Sequence, residues 1–169
     1  MAIGTPLRGM RSRDDGRRSV ERRVWVKASP RGLWTTLHDE ALLRRLFPEL
    51  TLRADDRSWP AAGSVRSGDI HLGLLRTGVW VESLEARPDS AFGIAILAPE
   101  FEIRWSWRME PLAGGTRVIH DGWFETRDRW AGVLVRLGRE SIGQLADAHL
   151  RALKELAETT AEAAAGPAA

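Results

Sequence analysis

His120 is the residue whose surroundings most invite a chemical reading. It stands in "FEIRWSWRMEPLAGGTRVIHDGWFETR", residues 101 to 127, beyond Trp105, Trp107 and a Gly-Gly turn. A neutral imidazole in an apolar setting can act as a general base or donate to a carbonyl. It can equally be a core histidine satisfied by a neighbouring backbone group. Arg66, in "GSVRSG", would polarise a carbonyl or stabilise an enolate if it points inward. The bland alternative is a surface arginine. His149 falls on the inner stripe of a C-terminal helix, His38 at a helix end, and His71 in a loop or strand edge. No two histidines share metal-ligand spacing on one element, and there is no cysteine, so neither a metal site nor a cofactor is expected. With no tyrosine, the directional donors are histidine, arginine, serine, threonine and indole N–H. Serine-histidine-acid sets, paired carboxylates and phosphate-cradling glycine loops are not apparent, and "GLLRTG" is too irregular for a nucleotide fingerprint.

The elements that must position these groups can be read from periodicity. In residues 101–110, Phe101, Ile103, Trp105, Trp107 and Met109 alternate with Glu102, Arg104, Ser106, Arg108 and Glu110. Successive strand side chains point to opposite faces, so the first set is buried and the second wet. The returning arm puts Thr116, Val118, His120, Gly122 and Phe124 on one face. Upstream, "SVERRVWVK" reads as a first strand. Ser29 then N-caps a short helix with Pro30 at its first position, and Asp39 caps a second that ends before Pro48. "TLRAD", "GSVRSG", "LLRTGVWVESLEARPDS" and "AFGIAIL" are further strands, with Gly78 a candidate bulge. From residue 128 to about 160 one long helix carries Leu134, Leu137, Ser141, Leu145, His149, Ala152 and Leu156 at steps of three and four. Gly138 and Gly143 predict a kink or a close contact in it. An antiparallel sheet with one wet face must bury the other, and only helices are available to cover it. The order therefore predicts an α+β fold in which a curved sheet encloses a hollow against the terminal helix.

Composition narrows the partners. The 169 residues suit one domain, and 43% hydrophobic residues suit a packed core. The predicted division is a disordered basic tail over residues 1–18, a ligand-binding domain over 19–160 and a disordered Ala-rich tail over 161–169. The sequence pI of 9.9 is misleading. Five of the 25 Lys+Arg (Arg8, Arg11, Arg13, Arg17, Arg18) and two of the 23 acids (Asp14, Asp15) lie in the first eighteen residues. The remainder carries 20 basic and 21 acidic groups, a net of −1, so no nucleic-acid footprint is expected. No apolar run is long enough to span a bilayer and no secretory signal is evident, so a cytoplasmic location is expected.

"VWVKASPRGLWTTLHDEALLRRLFPEL", "WPAAGSVRSGD", "GVWVESLEARPDSAFGI" and "GGTRVIHDGWFE" resemble the START-like (SRPBCC) superfamily and, within it, the polyketide cyclase/dehydrase group. The resemblance covers roughly residues 19 to 160. It implies a helix-grip fold: about seven antiparallel strands gripping a C-terminal helix, two short helices after strand 1, and an apolar tunnel for lipids, polyketides or quinones. Under that resemblance the ligand-binding residues are Trp105, Trp107, Phe92, Ile94, Val118, Phe124, Leu145 and His149. Two functions stay open. One is aldol cyclisation and dehydration of a poly-β-ketone, with His120 as base and Arg66 as carbonyl stabiliser. The other is a non-catalytic lipid or quinone carrier or accessory protein, similar to coenzyme-Q-binding proteins or to a carbon monoxide dehydrogenase accessory subunit, whose arginine-rich N-terminus touches anionic headgroups. For Trp105 and Trp107, core packing and a pocket wall are equally supported.

Overall fold

The computed structural model describes residues 18–53, 59–72, 74–126 and 139–165. Seven strands form a single antiparallel sheet: β1 (Arg18–Val26), β2 (Leu50–Leu52), β3 (Val65–Leu72), β4 (Leu75–Arg87), β5 (Ala91–Leu97), β6 (Phe101–Leu112) and β7 (Gly115–Thr126). Their spatial order is β1-β7-β6-β5-β4-β3-β2, so only β1 departs from sequence order, crossing the sheet to pair with β7. Two short helices, α1 (Pro30–His38) and α2 (Glu40–Leu46), follow β1, and α3 (Arg139–Ala165) closes the chain. This is the expected helix-grip architecture.

Local sequence accounts for these elements. Ser29 caps α1 by accepting from the Gly32 N–H at 3.1 Å, satisfying one of the donors that every helix start leaves open. The α1 ladder stops at Asp39, whose carbonyl then accepts from Leu43 at 2.7 Å to open α2. In β6 the odd residues from Phe101 to Met109 are buried and Arg104 and Arg108 are exposed, as alternation predicts, but Glu102, expected to be wet, is buried and accepts from Arg104 Nε at 2.6 Å. Wherever a strand's side chain faces α3, its cross-strand partner does too, which makes the register decisive.

Three expectations need correction. Gly78 pairs regularly with Asp69, and the irregularity in β4 lies between Ser83 and Glu85. The α3 stripe is rotated: the fully buried positions are Ala146, His149, Leu150, Leu153 and Ala157, while Leu145, Ala152 and Leu156 flank them half-buried. Both sets step by three and four through His149, so the sequence defines a broad apolar face but not its centre. Helix α3 runs on to Ala165, through part of the segment predicted to be disordered. Residues 127–138, which include Leu134, Leu137 and Gly138, lie outside the described residues, as do the arginines of the first seventeen positions. Gly143 fulfils its close-contact reading, since a Cβ there would meet the Arg22 guanidinium at 3.2 Å.

Candidate ligand-binding site

The site is built on the concave face, from β5, β6 and β7 beneath α1, α2 and α3. Register sets Phe92 opposite Trp107 and Ile94 opposite Trp105 across β5 and β6. Across β6 and β7 it sets Trp107 opposite His120 and Trp105 opposite Gly122. The last pairing is required sterically: a Cβ at Gly122 would overlap the Trp105 indole, meeting its Cε3 at 2.8 Å. Only glycine lets that ring lie flat across β7. The result flanks His120 with two near-parallel indoles, Trp107 at 4.4 Å and Trp105 at 4.9 Å between centroids.

His120 is completely buried. Its Nδ1 lies 3.0 Å from the Ser106 carbonyl oxygen. That oxygen can only accept, so Nδ1 carries the hydrogen and Nε2 presents a lone pair. No partner meets that lone pair. Desolvation holds the imidazole neutral by pushing its pKa down to about 3, against the opposing Ser106 bond, with nearby His149 adding to the depression. His149, also buried, projects from α3 with its ring 5.6 Å from His120 and 5.0 Å from Trp105. Its Nε2 donates to the Glu49 carboxylate at 3.0 Å, and its Nδ1 is buried without a partner. Around His149 the sheet and the terminal helix therefore meet ring to ring, rather than across the hollow that the sequence suggests.

A second cluster forms toward β4 and β3. Phe92 stacks on Trp107 at 5.9 Å and receives Trp34 and His38 of α1 at 6.4 and 4.6 Å. Four residues apart, those two side chains share one helix face. The His38 Nδ1 lies 2.6 Å from the Trp34 carbonyl oxygen, leaving its Nε2 with a buried, unmatched lone pair. Burial lowers its pKa, partly offset by that bond. Trp59 meets Phe92 edge-on at 6.4 Å. Ser83 holds the segment that carries it, donating from Oγ to the Pro60 carbonyl at 2.8 Å and from N to the Ser64 carbonyl at 2.9 Å. The Trp59 Nε1–H and the Ser64 hydroxyl are buried and unpartnered as well.

Arg66 points inward and is 4% exposed, but its guanidinium is already engaged. Nη2 pairs with Glu40 at 3.0 Å, Nε donates to the Arg53 carbonyl at 2.8 Å, and the group lies 5.9 Å from the Trp59 ring centroid. With Glu40, Leu43, Arg44, Phe47, Leu50 and Leu52 it lines a groove of about 20 Å³, room for about one water. Four strand spacings separate β3 from β7, roughly 19 Å along the sheet. His120 and Arg66 thus belong to different ends of the site.

Of the residues predicted from sequence, Trp105, Trp107, His120, His149 and Phe92 come together in one aromatic cluster. Ile94 is buried beside it, and Val118 lies along β7. Phe124 sits farther along that strand, stacked on Phe101 at 5.8 Å, and Leu145 packs half-buried at the margin. Sequence reasoning missed Trp34, His38, Phe47, Glu49 and Trp59. The Trp34–His38 spacing was a usable signal, and nothing local marked Glu49. Among the described residues, no three His, Cys, Asp or Glu are grouped to hold a metal, and no helix is long and apolar enough to cross a membrane.

The family described as polyketide cyclase/dehydrase and lipid transport matches residues 17–158. Among solved structures, the Zhui aromatase/cyclase from Streptomyces sp. R1128 superposes with a TM-score of 0.69 at 20% identity, covering 89% of this chain and 99% of that one. TTHA0849 from Thermus thermophilus gives 0.69 at 17% identity, covering 86% and 100%. The di-domain aromatase/cyclase StfQ of the steffimycin biosynthetic pathway gives 0.68 at 13% identity, covering 87% of this chain and 52% of that one. At these identities the likeness is one of fold. No curated protein matches the sequence significantly.

Proposed function

Because the chain belongs to the polyketide cyclase/dehydrase and lipid-transport family, we propose that it binds a hydrophobic small molecule on its concave aromatic face, as a carrier or presenting protein. One observation carries this reading. Five buried polar atoms (His38 Nε2, Trp59 Nε1, Ser64 Oγ, His120 Nε2 and His149 Nδ1) have no hydrogen-bond partner. An orphaned buried group costs about 1–3 kcal/mol, and folded proteins carry few of them. All but Ser64 belong to rings grouped about the Phe92–Trp107 stack. A solid core has no use for such a set; a guest with polar atoms along an apolar body does. The rings touch in the present arrangement, so a guest enters by parting the α1–α2 flap from the sheet. Native mass spectrometry of the purified protein tests the reading. A retained small molecule, or saturable one-to-one uptake of an apolar naphthalene probe, supports it. Absence of both refutes it.

A catalytic reading is favoured by the fold likeness to the two aromatase/cyclases and by the buried, unpartnered lone pair of His120. In it His120 is the base for aldol closure and Arg66 stabilises the developing enolate. The geometry favours it less. A base whose pKa is about 3 is poorly matched to proton abstraction near neutrality, and Arg66 is committed to Glu40 and Arg53 at the far end of the sheet. Unchanged turnover of a poly-β-ketone by His120→Ala would remove the catalytic role and leave the binding role intact.

A further inference from the structure

We propose that the deep end of this site selects guests that present hydroxyl donors, and discriminates against the corresponding ether or quinone. The inference rests on the binding reading above and specifies its chemistry. Two ring tautomers are fixed by the chain itself. The Ser106 carbonyl takes the hydrogen of His120 Nδ1, and the Trp34 carbonyl takes that of His38 Nδ1. Carbonyl oxygens cannot donate, so Nε2 of each neutral ring can only accept. At His149 the Nε2–H goes to the Glu49 carboxylate, and the buried Nδ1 is left without a partner. The concave face therefore holds two unmatched acceptors fixed by the backbone, at His38 and His120, against an indole donor at Trp59, with the Ser64 hydroxyl and His149 Nδ1 unpartnered as well.

At the deep end the bare His120 nitrogen belongs to a completely buried ring 5.6 Å from the buried His149 ring, and the two are walled by Trp105, Trp107 and Phe47. A carbonyl or ether oxygen set against the His120 nitrogen would oppose lone pair to lone pair in a medium too dry to screen the repulsion. An O–H placed there satisfies a nitrogen that folding has left unpaired. Sites built around buried polar groups reject an analogue lacking the matching partner far more sharply than apolar pockets reject an extra methyl group. Within the apolar molecules that such a fold could take, the chain should prefer phenols, hydroquinones and other hydroxylated ring systems to their ketone or quinone forms.

The test uses three naphthalenes of similar shape, titrated calorimetrically into the full-length protein at pH 8: 1-naphthol, 1-methoxynaphthalene and 1,4-naphthoquinone. The chain has no cysteine, so the quinone cannot be captured by a thiol. The expected order is 1-naphthol first, by about tenfold or more over either analogue. In His120→Phe the naphthol-to-methoxynaphthalene affinity ratio should fall toward one. Equal affinities in the wild-type protein, or a quinone preference, would overturn the donor selection while leaving the apolar-binding reading standing. No binding by any of the three would overturn both. Should His120→Phe fail to fold, nitrogen-15 spectra of the histidine rings in the wild-type protein decide. His120 Nε2 must be unprotonated in the free protein and must shift on addition of 1-naphthol; a protonated Nε2, or no shift at saturation, refutes the assignment.

Discussion

Lowering the pH should destabilise the fold through His120 in particular, and the size of the effect follows from its burial. The ring titrates at about 3 in the folded chain because burial penalises the imidazolium; in the unfolded chain it titrates near 6.5. Between those values the unfolded chain holds a proton that the native chain does not, so unfolding is drawn forward as pH falls. The native advantage is thus complete above about pH 6.5 and declines down to about pH 3. At pH 4.5 the separation amounts to about two pH units below the unfolded pKa, on the order of 3 kcal/mol from this one group. His38 acts in the same direction, since burial lowers its pKa too. The assay is urea unfolding followed by tryptophan fluorescence at pH 7.5 and 4.5, for the wild-type protein and His120→Phe. Phenylalanine keeps a flat ring between Trp105 and Trp107 and does not titrate. The variant should lose about 1 kcal/mol at pH 7.5 for the hydrogen bond to Ser106, yet its further loss at pH 4.5 should be smaller than that of the wild type by about 3 kcal/mol. Carboxylate titrations common to both proteins cancel in this difference. Equal acid losses in the two proteins would refute the claim that a neutral, desolvated His120 lies at the centre of the site.

Further expectations concern packing, the groove and the N-terminus. Gly122→Ala should cost about 1–3 kcal/mol or more, read as a lower urea midpoint, because its methyl group overlaps the Trp105 indole; an unchanged midpoint would mean that Trp105 does not lie across β7. Glu40→Gln should change stability by less than about 1 kcal/mol, since the Glu40 side chain is 52% exposed. Arg66→Leu should cost more, because it also removes the bond to Arg53 and the contact with Trp59. Equal effects would place the value of Arg66 in the ion pair alone. Deleting residues 1–17, which leaves β1 whole, should abolish any salt-sensitive binding to liposomes containing anionic lipid, measured by co-sedimentation; binding that survives both deletion and high salt would remove the arginines from membrane contact.

The parts of the fold that were legible in the sequence are those where one face alone is buried. The alternation through Phe101 to Met109 specified β6 because every residue of its dry side is buried, while its other side is exposed at Arg104 and Arg108 and departs from the rule only where Glu102 is buried. Ser29 and Pro30 announced α1 by a mechanism that acts within four residues. The β4 register was not legible. Glu82 and Glu85 stand on either side of an irregularity at Leu84 that has no glycine to mark it, whereas Gly78, which looked like a bulge, pairs normally. The centre of the α3 face was ambiguous because leucine and alanine occupy nearly half its circumference. As for the site, its strand-borne members could be assembled from period two plus the hairpin. Trp34, His38 and Trp59 reach it from a helix and a connecting segment, and Glu49 reaches His149 from a position a hundred residues away in sequence. Such contacts are set by tertiary packing and leave no local periodicity to read. Gly122 is intermediate. Its place on the His120 face was evident, but its necessity appears only when Trp105 is seen lying over it.

The central claim is that the aromatic face receives a small hydrophobic guest at its unpaired imidazole nitrogens. A crystal structure of the full-length protein with saturating 1-naphthol tests it most directly. The account predicts the naphthalene against the Trp105–Trp107 face, its hydroxyl within hydrogen-bond distance, about 3 Å, of His120 Nε2, and the α1–α2 flap displaced to admit it. An aromatic cluster unchanged from the present arrangement, with the naphthol bound only at the outer surface, would contradict it.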